Sequence, residues 1–195
     1  WLPLPACAQE PAGWLLSGPN ADRYRMRLDR DVAFSGEASM RLEARGNRRN
    51  SEWAVTVQMI DATPYRGQRI RLAGHLRSDD LGSGGLWMRV DGIIDGEAAQ
   101  IAVDNAEDRR LSDETDWTRQ EIVLDVPPES VTILYGAMIS GDGELWLDGL
   151  VVEPAPDATP TAAVTNTVVG GVYQRPPGML ATPVNLDFEI ESEGP

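Results

Sequence analysis

Most of what catalysis draws on is scarce in this chain. Its 195 residues include one cysteine, Cys7, and one histidine, His75. A Ser-His or Cys-His centre has almost nothing to work with, and no Gly-x-Ser-x-Gly elbow accompanies the single imidazole. Zinc-type spacing of cysteines and histidines is absent altogether. No apolar run approaches the roughly 20 residues that span a bilayer as a helix. Basic residues are few, 17 against 31 acidic ones, for a formal charge of −14. Phosphate backbones and anionic membrane surfaces would be repelled over most of the surface, so nucleic acid is not an expected partner. The arginines between Arg45 and Arg49 read as a solvated loop, with anion binding as the alternative. Carboxylates are abundant, but abundance in an acidic chain is no sign of a catalytic pair at the needed separation.

A helical period is also missing, and what replaces it is two-residue alternation in short runs broken by Gly, Pro, Asp and Ser. Gly13 to Leu16, Tyr24 to Leu28, Met40 to Leu42 and Trp53 to Met59 come first. Ala98 to Val103, Ile122 to Val126, Val131 to Ile139 and Leu145 to Val152 follow. Nine or ten strands of this kind imply an all-β fold, an antiparallel β-sandwich of jelly-roll type. Between the two sets lies Arg69 to Asp91, which reads as two strands joined by a Gly/Ser/Asp loop. Alternation sends Ile70, Leu72, Leu76, Leu86, Met88 and Val90 to a core. Arg71, His75, Trp87, Arg89 and Asp91 go to the opposite face.

An indole face suits the axial C–H groups of a sugar ring, and charged forks suit its hydroxyls. Trp87 with Arg89 and Asp91 is therefore the candidate ligand contact, extended by His75, Arg71 and Gln58 if their strands are neighbours. The alternative is that Trp87 is covered by a loop or a partner domain. Trp14, Trp53, Trp117 and Trp146 read as structural, and Asp104, Asn105 and Asp108 as a solvated turn.

The chain divides into residues 1–8, the remnant of an export signal; 9–153, the sandwich; 154–182, a Pro/Ala/Thr-rich linker; and 183–195, the truncated start of a second module or repeat. Ala6-Cys7-Ala8 supplies a small-x-small cleavage pattern, pointing to a secreted or periplasmic protein. Lipid anchoring through Cys7 is the second reading, and the chain reads as a piece of a longer protein.

Tyr65-Arg66-Gly67, Gly85 to Gly92, Asp104-Asn105, Thr115-Asp116-Trp117, Val123 to Pro127 and Leu145 to Asp148 together resemble a galactose-binding-like jelly-roll module. That module precedes the catalytic domain of erythromycin-esterase-like hydrolases and some secreted serine peptidases. A more distant similarity is to carbohydrate-binding modules of glycoside hydrolases. The resemblance implies a non-catalytic accessory module that binds carbohydrate or a cell-envelope polymer beside a larger hydrolase. Its alternative is a docking module that packs on its own downstream domain. It also implies a possible structural calcium at Asp148. The Asn-Leu-Asp-Phe-Glu strand that commonly opens such modules is missing before Gly13-Trp14 and occurs instead at Asn185 to Glu189. That reads as the start of a second copy or following module at about Pro183, with a linker that returns so that this strand completes the first sandwich as the alternative.

Overall fold

The computed structural model describes residues 10–46, 49 and 51–192. The export-signal and Cys7 readings fall outside them. Ten strands form: β1 Leu15–Ser17, β2 Tyr24–Asp29, β3 Ser39–Ala44, β4 Trp53–Asp61, β5 Gln68–Ile94, β6 Glu97–Asp104, β7 Leu111–Val126, β8 Ser130–Ser140, β9 Glu144–Pro154 and β10 Thr167–Val168. All pair antiparallel. The fold is the expected all-β antiparallel sandwich.

Strand β5 builds both of its layers. Its first half, Gln68 to Asp79, lies between β7 and β9. Its second half, Ser83 to Ile94, lies between β8 and β6. One layer thus runs β2-β3-β9-β5-β7 and the other β1-β4-β8-β5-β6-β10. The stretch from Ser78 to Gly85 is not a hairpin loop, since the two halves never pair with each other. It is the corner at which one strand changes sheet, with register shifts against β7 between Leu76 and Gly84. Bare backbone is needed there: a Cβ on Gly82 would lie 2.7 Å from the Ser140 carbonyl, and one on Gly84 2.8 Å from that of Met138.

The core between the layers takes Ile70, Leu72 and Leu76 from the first half of β5 and Leu86, Met88 and Val90 from the second, as alternation requires. Strand β4 turns Gln58, expected beside the candidate patch on an outer face, into the core. Its polar residues Thr56 and Gln58 point inward and are buried, while Val55 and Val57 point out. The inward groups are satisfied: Tyr135 Oη donates to Gln58 Oε1 at 2.6 Å, Val184 N donates to the same oxygen at 2.9 Å, and Ala137 N donates to Thr56 Oγ1 at 3.0 Å.

The Pro/Ala/Thr-rich segment is extended but docked. Thr161 N bonds Val123 O, Thr165 N bonds Ile101 O, β10 pairs β6, and Leu180 N bonds Met59 O. It crosses both layers as a strap, and the residues after it complete the same sandwich instead of opening another module. Phe188 is fully buried in the core, 5.3 Å from the Trp14 ring. Asn185 accepts the Trp14 indole N–H through its backbone carbonyl at 3.1 Å, and its side chain donates to Ala12 O at 3.1 Å. The Asn-Leu-Asp-Phe-Glu segment therefore packs beside Gly13-Trp14, arriving from the far end of the sequence.

Candidate functional site

The corner in β5 separates the candidate residues. Arg71 and His75 lie on the outer face of the first layer, and Trp87, Arg89 and Asp91 on the outer face of the second, so they do not form one patch. Gln58, the proposed extension, points into the core.

The first layer's outer face is a lattice of charge pairs. Arg71 meets Glu153 at 3.1 Å and Glu121 at 3.5 Å, Arg69 meets Asp125 at 2.8 Å, and Arg41 pairs with Asp29, Glu43 and Glu144. Trp146 lies within this lattice, 5% exposed. Its indole N–H donates to Asp29 Oδ2 at 3.0 Å, and the guanidiniums of Arg41 and Arg77 lie over its ring at 5.2 and 5.8 Å. Burial pushes the Asp29 carboxyl up, but the Trp146 and Asp31 N–H donors with Arg27 and Arg41 outweigh it and leave the group below its ordinary value.

His75 stacks on Phe34 at 3.6 Å and 11°, with Trp117 edge-on to Phe34 at 5.8 Å. Burial and the nearby Arg119 lower the imidazole's pKa against the opposing pull of Asp148. Asp148 is fully buried, and its carboxylate binds the chain itself. Phe34 N and Ser35 N donate to Oδ2, each at 2.8 Å, and Gly149 N donates to Oδ1 at 2.6 Å. Calcium wants six to eight oxygens. Here the carboxylate is surrounded by N–H donors, and no group of three His, Cys, Asp or Glu converges anywhere among the described residues. Asp148 does not fit the expected calcium; it pins the loop that carries Phe34.

The second layer's outer face is a groove of about 810 Å³, within the range of small-ligand sites. Its floor is apolar: Val55, Val57, Trp87 and Leu134 cluster there, flanked by Met59 and Met138. Trp87 stands opposite Gly136 on β8, and its indole N–H reaches past that strand to the Thr56 carbonyl at 3.0 Å. Gly136 leaves open the path across β8 that the indole takes. The ring is only 7% exposed and forms the floor rather than a projecting plate. Trp53, 36% exposed, is the accessible indole at the groove. Gln100, Asn105, Arg110 and Ser140 supply polar groups around it.

Arg89 lines this groove and an adjoining pocket that it shares with Asp91, Gln100, Tyr173 and Pro176. The strap thus stands at one end of the face, where the Tyr173 hydroxyl meets Thr132 Oγ1. Arg89 Nη2 donates to Asp91 Oδ2 at 2.7 Å. Burial nevertheless raises the Asp91 carboxyl above its ordinary value. Asp104, read as part of a solvated turn, is buried and braces its loop, accepting from Ala106 N at 2.7 Å and Arg109 Nη2 at 2.6 Å.

The sequence does not single out Trp53, Arg110 or the outward valines of β4, which line this candidate groove. The apolar alternation Trp53-Val55-Val57-Met59 is visible in the sequence, but which face of β4 turns outward is decided by partners of Thr56 and Gln58 that come from distant parts of the chain.

No family model matches the sequence. It is 34% identical over 180 residues to a Bacillus subtilis protein named as an uncharacterized HTH-type transcriptional regulator, YbfP; the match takes in 92% of this chain and 57% of that protein. The chain thus spans little more than half the length of this relative. Among solved structures, the CBM22-1 xylan-binding domain of Paenibacillus barcinonensis Xyn10C superposes with a TM-score of 0.51 at 14% identity, over 77% of this chain and 90% of that one. The enzymatically active domain of bacteriophage CBA120 tailspike protein 4 gives 0.55 at 16% identity, over 75% of this chain and 20% of that one. These likenesses establish a jelly-roll fold of the CBM22 type.

Proposed function

We propose that this chain is a non-catalytic carbohydrate-recognition module, and that its ligand, a glycan or cell-envelope polymer, lies in the second layer's groove. The observation that carries the reading is an apolar floor built around Trp87, with Trp53 accessible beside it and amide, hydroxyl and guanidinium groups around it. Sugar C–H faces pack on indoles while hydroxyls take the polar groups. The fold is one that xylan-binding domains share, which supports the reading at the level of architecture only. His75, the one imidazole in the chain, carries Phe34 on its ring and stands on the outer face of the first layer, on the opposite side of the sandwich from the groove. Retention of the full chain on insoluble and gel-embedded polysaccharides tests this. Wild type and Arg71→Ala should be retained and Trp53→Ala/Trp87→Ala should not; equal retention of the double variant would move the site elsewhere.

A second reading follows from the regulator-like relative, which extends well beyond the match. In it the groove docks another part of a longer protein. The described residues contain two short 3-10 helices and no α-helix, so a helix-turn-helix is not among them. Protection of Trp53 from a soluble quencher by the added remainder of such a protein, with no retention on any glycan, would favour docking.

A further inference from the structure

The groove departs from the chain's overall charge. Acidic residues hold 31 of 195 positions, so eighteen lining residues chosen without regard to charge would include about three. The described lining has none, and it has two arginines, Arg89 and Arg110. The other outer face shows the opposite practice, with guanidiniums matched to carboxylates across neighbouring strands.

Local contacts explain how Arg110 stays free of acids. The adjacent Arg109 takes two of the three acidic side chains of this stretch, Asp104 and Asp108, each at 2.6 Å, and the third, Glu107, is exposed and is not part of the described groove lining. Arg110 makes one long bond, from Nε to the Asn105 carbonyl at 3.4 Å. Its Cγ lies 3.7 Å from where a Cβ on Gly85 would be, which places its stem over β5 on the same outward row as Trp87 and Arg89. Arg89 spends one nitrogen on Asp91, and its Nε is buried without a hydrogen-bond partner. Two guanidiniums line one groove with no acid in the described lining, and Arg110, whose Nη groups make no bond to an acid among the described residues, presents the fork that a planar carboxylate takes.

We infer that the groove recognises an acidic glycan, one whose sugar units carry carboxylates, with Arg110 and Arg89 reading the acid group and the Trp87 floor packing the ring. The inference rests on the glycan-binding reading and adds the ligand's charge. Distant acids do little against it at physiological salt, where the screening length is about 8 Å.

The test uses the full chain in affinity electrophoresis at 150 mM salt with polygalacturonate, alginate and glucuronoxylan, each beside its carboxyl-reduced form, and with dextran sulfate. At least one uronate polymer should bind about tenfold or more tighter than its reduced form. Arg110→Gln should bring the affinity for the uronate polymer down to that for its reduced form while keeping the melting temperature. Equal binding of acid and reduced forms would overturn the inference and leave the glycan reading standing. No binding to any polymer would overturn both. Dextran sulfate binding as tightly as the preferred uronate would replace carboxylate recognition with general anion capture.

Discussion

Trp87 and Trp146 occupy matching places on opposite sides of the sandwich. Each projects outward, each is nearly buried at 7% and 5%, and each donates its indole N–H at 3.0 Å, to a carbonyl and to a carboxylate respectively. Their surroundings differ. Trp146 is covered by Arg41 and Arg77 inside a lattice of ion pairs, so its ring surface is already used. Trp87 is framed by Val55, Val57 and Leu134 and borders an open groove. A buried outward tryptophan is therefore not in itself a binding residue. What distinguishes the two faces is whether charged side chains have closed over the ring.

The largest effect should not discriminate between the faces. Phe188→Ala empties a fully buried ring site that serves both layers and should cost about 3 to 5 kcal/mol in denaturant unfolding. A loss under about 1 kcal/mol would mean that the returning segment is not part of the core. The paired tryptophans come next. Trp87→Ala and Trp146→Ala should each cost about 3 kcal/mol, but glycan retention should disappear only for Trp87→Ala. Loss of retention in both, measured well below their melting temperatures, would erase the distinction. Trp53→Ala should weaken glycan binding by about 1 to 2 kcal/mol with little change in melting temperature.

The smallest effect concerns pH. His75 titrates lower in the folded state than its ordinary value of 6.5, so folding favours the neutral ring. The stability this contributes is present above pH 6.5 and is lost as pH falls from there through the lowered folded value. His75→Gln should remove that component of the slope. Glycan affinity should stay flat between pH 6 and 8, because the described lining of the groove holds no histidine or carboxylate.

Much of this fold can be read from local pattern. The strands, their two-residue period and the inward rows of β5 follow from residues a few positions apart. The failures share one cause, which is that long-range partners decide them. Ser78 to Gly85 carries every local mark of a hairpin loop, but glycine also suits a strand that must pass close to the Ser140 and Met138 carbonyls. The inward position of Gln58 on β4 is not legible locally because Tyr135 and Val184, which satisfy it, are far off in sequence. Asn185 to Glu189 looked like a new module because its neighbours, Trp14 and Ala12, lie at the other end of the chain. Of the candidate groove, the outward positions of Trp87 and Arg89 are legible from alternation alone. That of Arg110 is not, since it depends on Arg109 pairing with Asp104 and Asp108.

The most direct test of the central claim is a titration of the full chain with the glycan it binds, following the indole N–H resonances by NMR. The account predicts that the Trp53 and Trp87 signals move while those of Trp117 and Trp146 stay in place. Movement of Trp117 and Trp146 with Trp53 and Trp87 unchanged would put the ligand on the ion-paired face and contradict it.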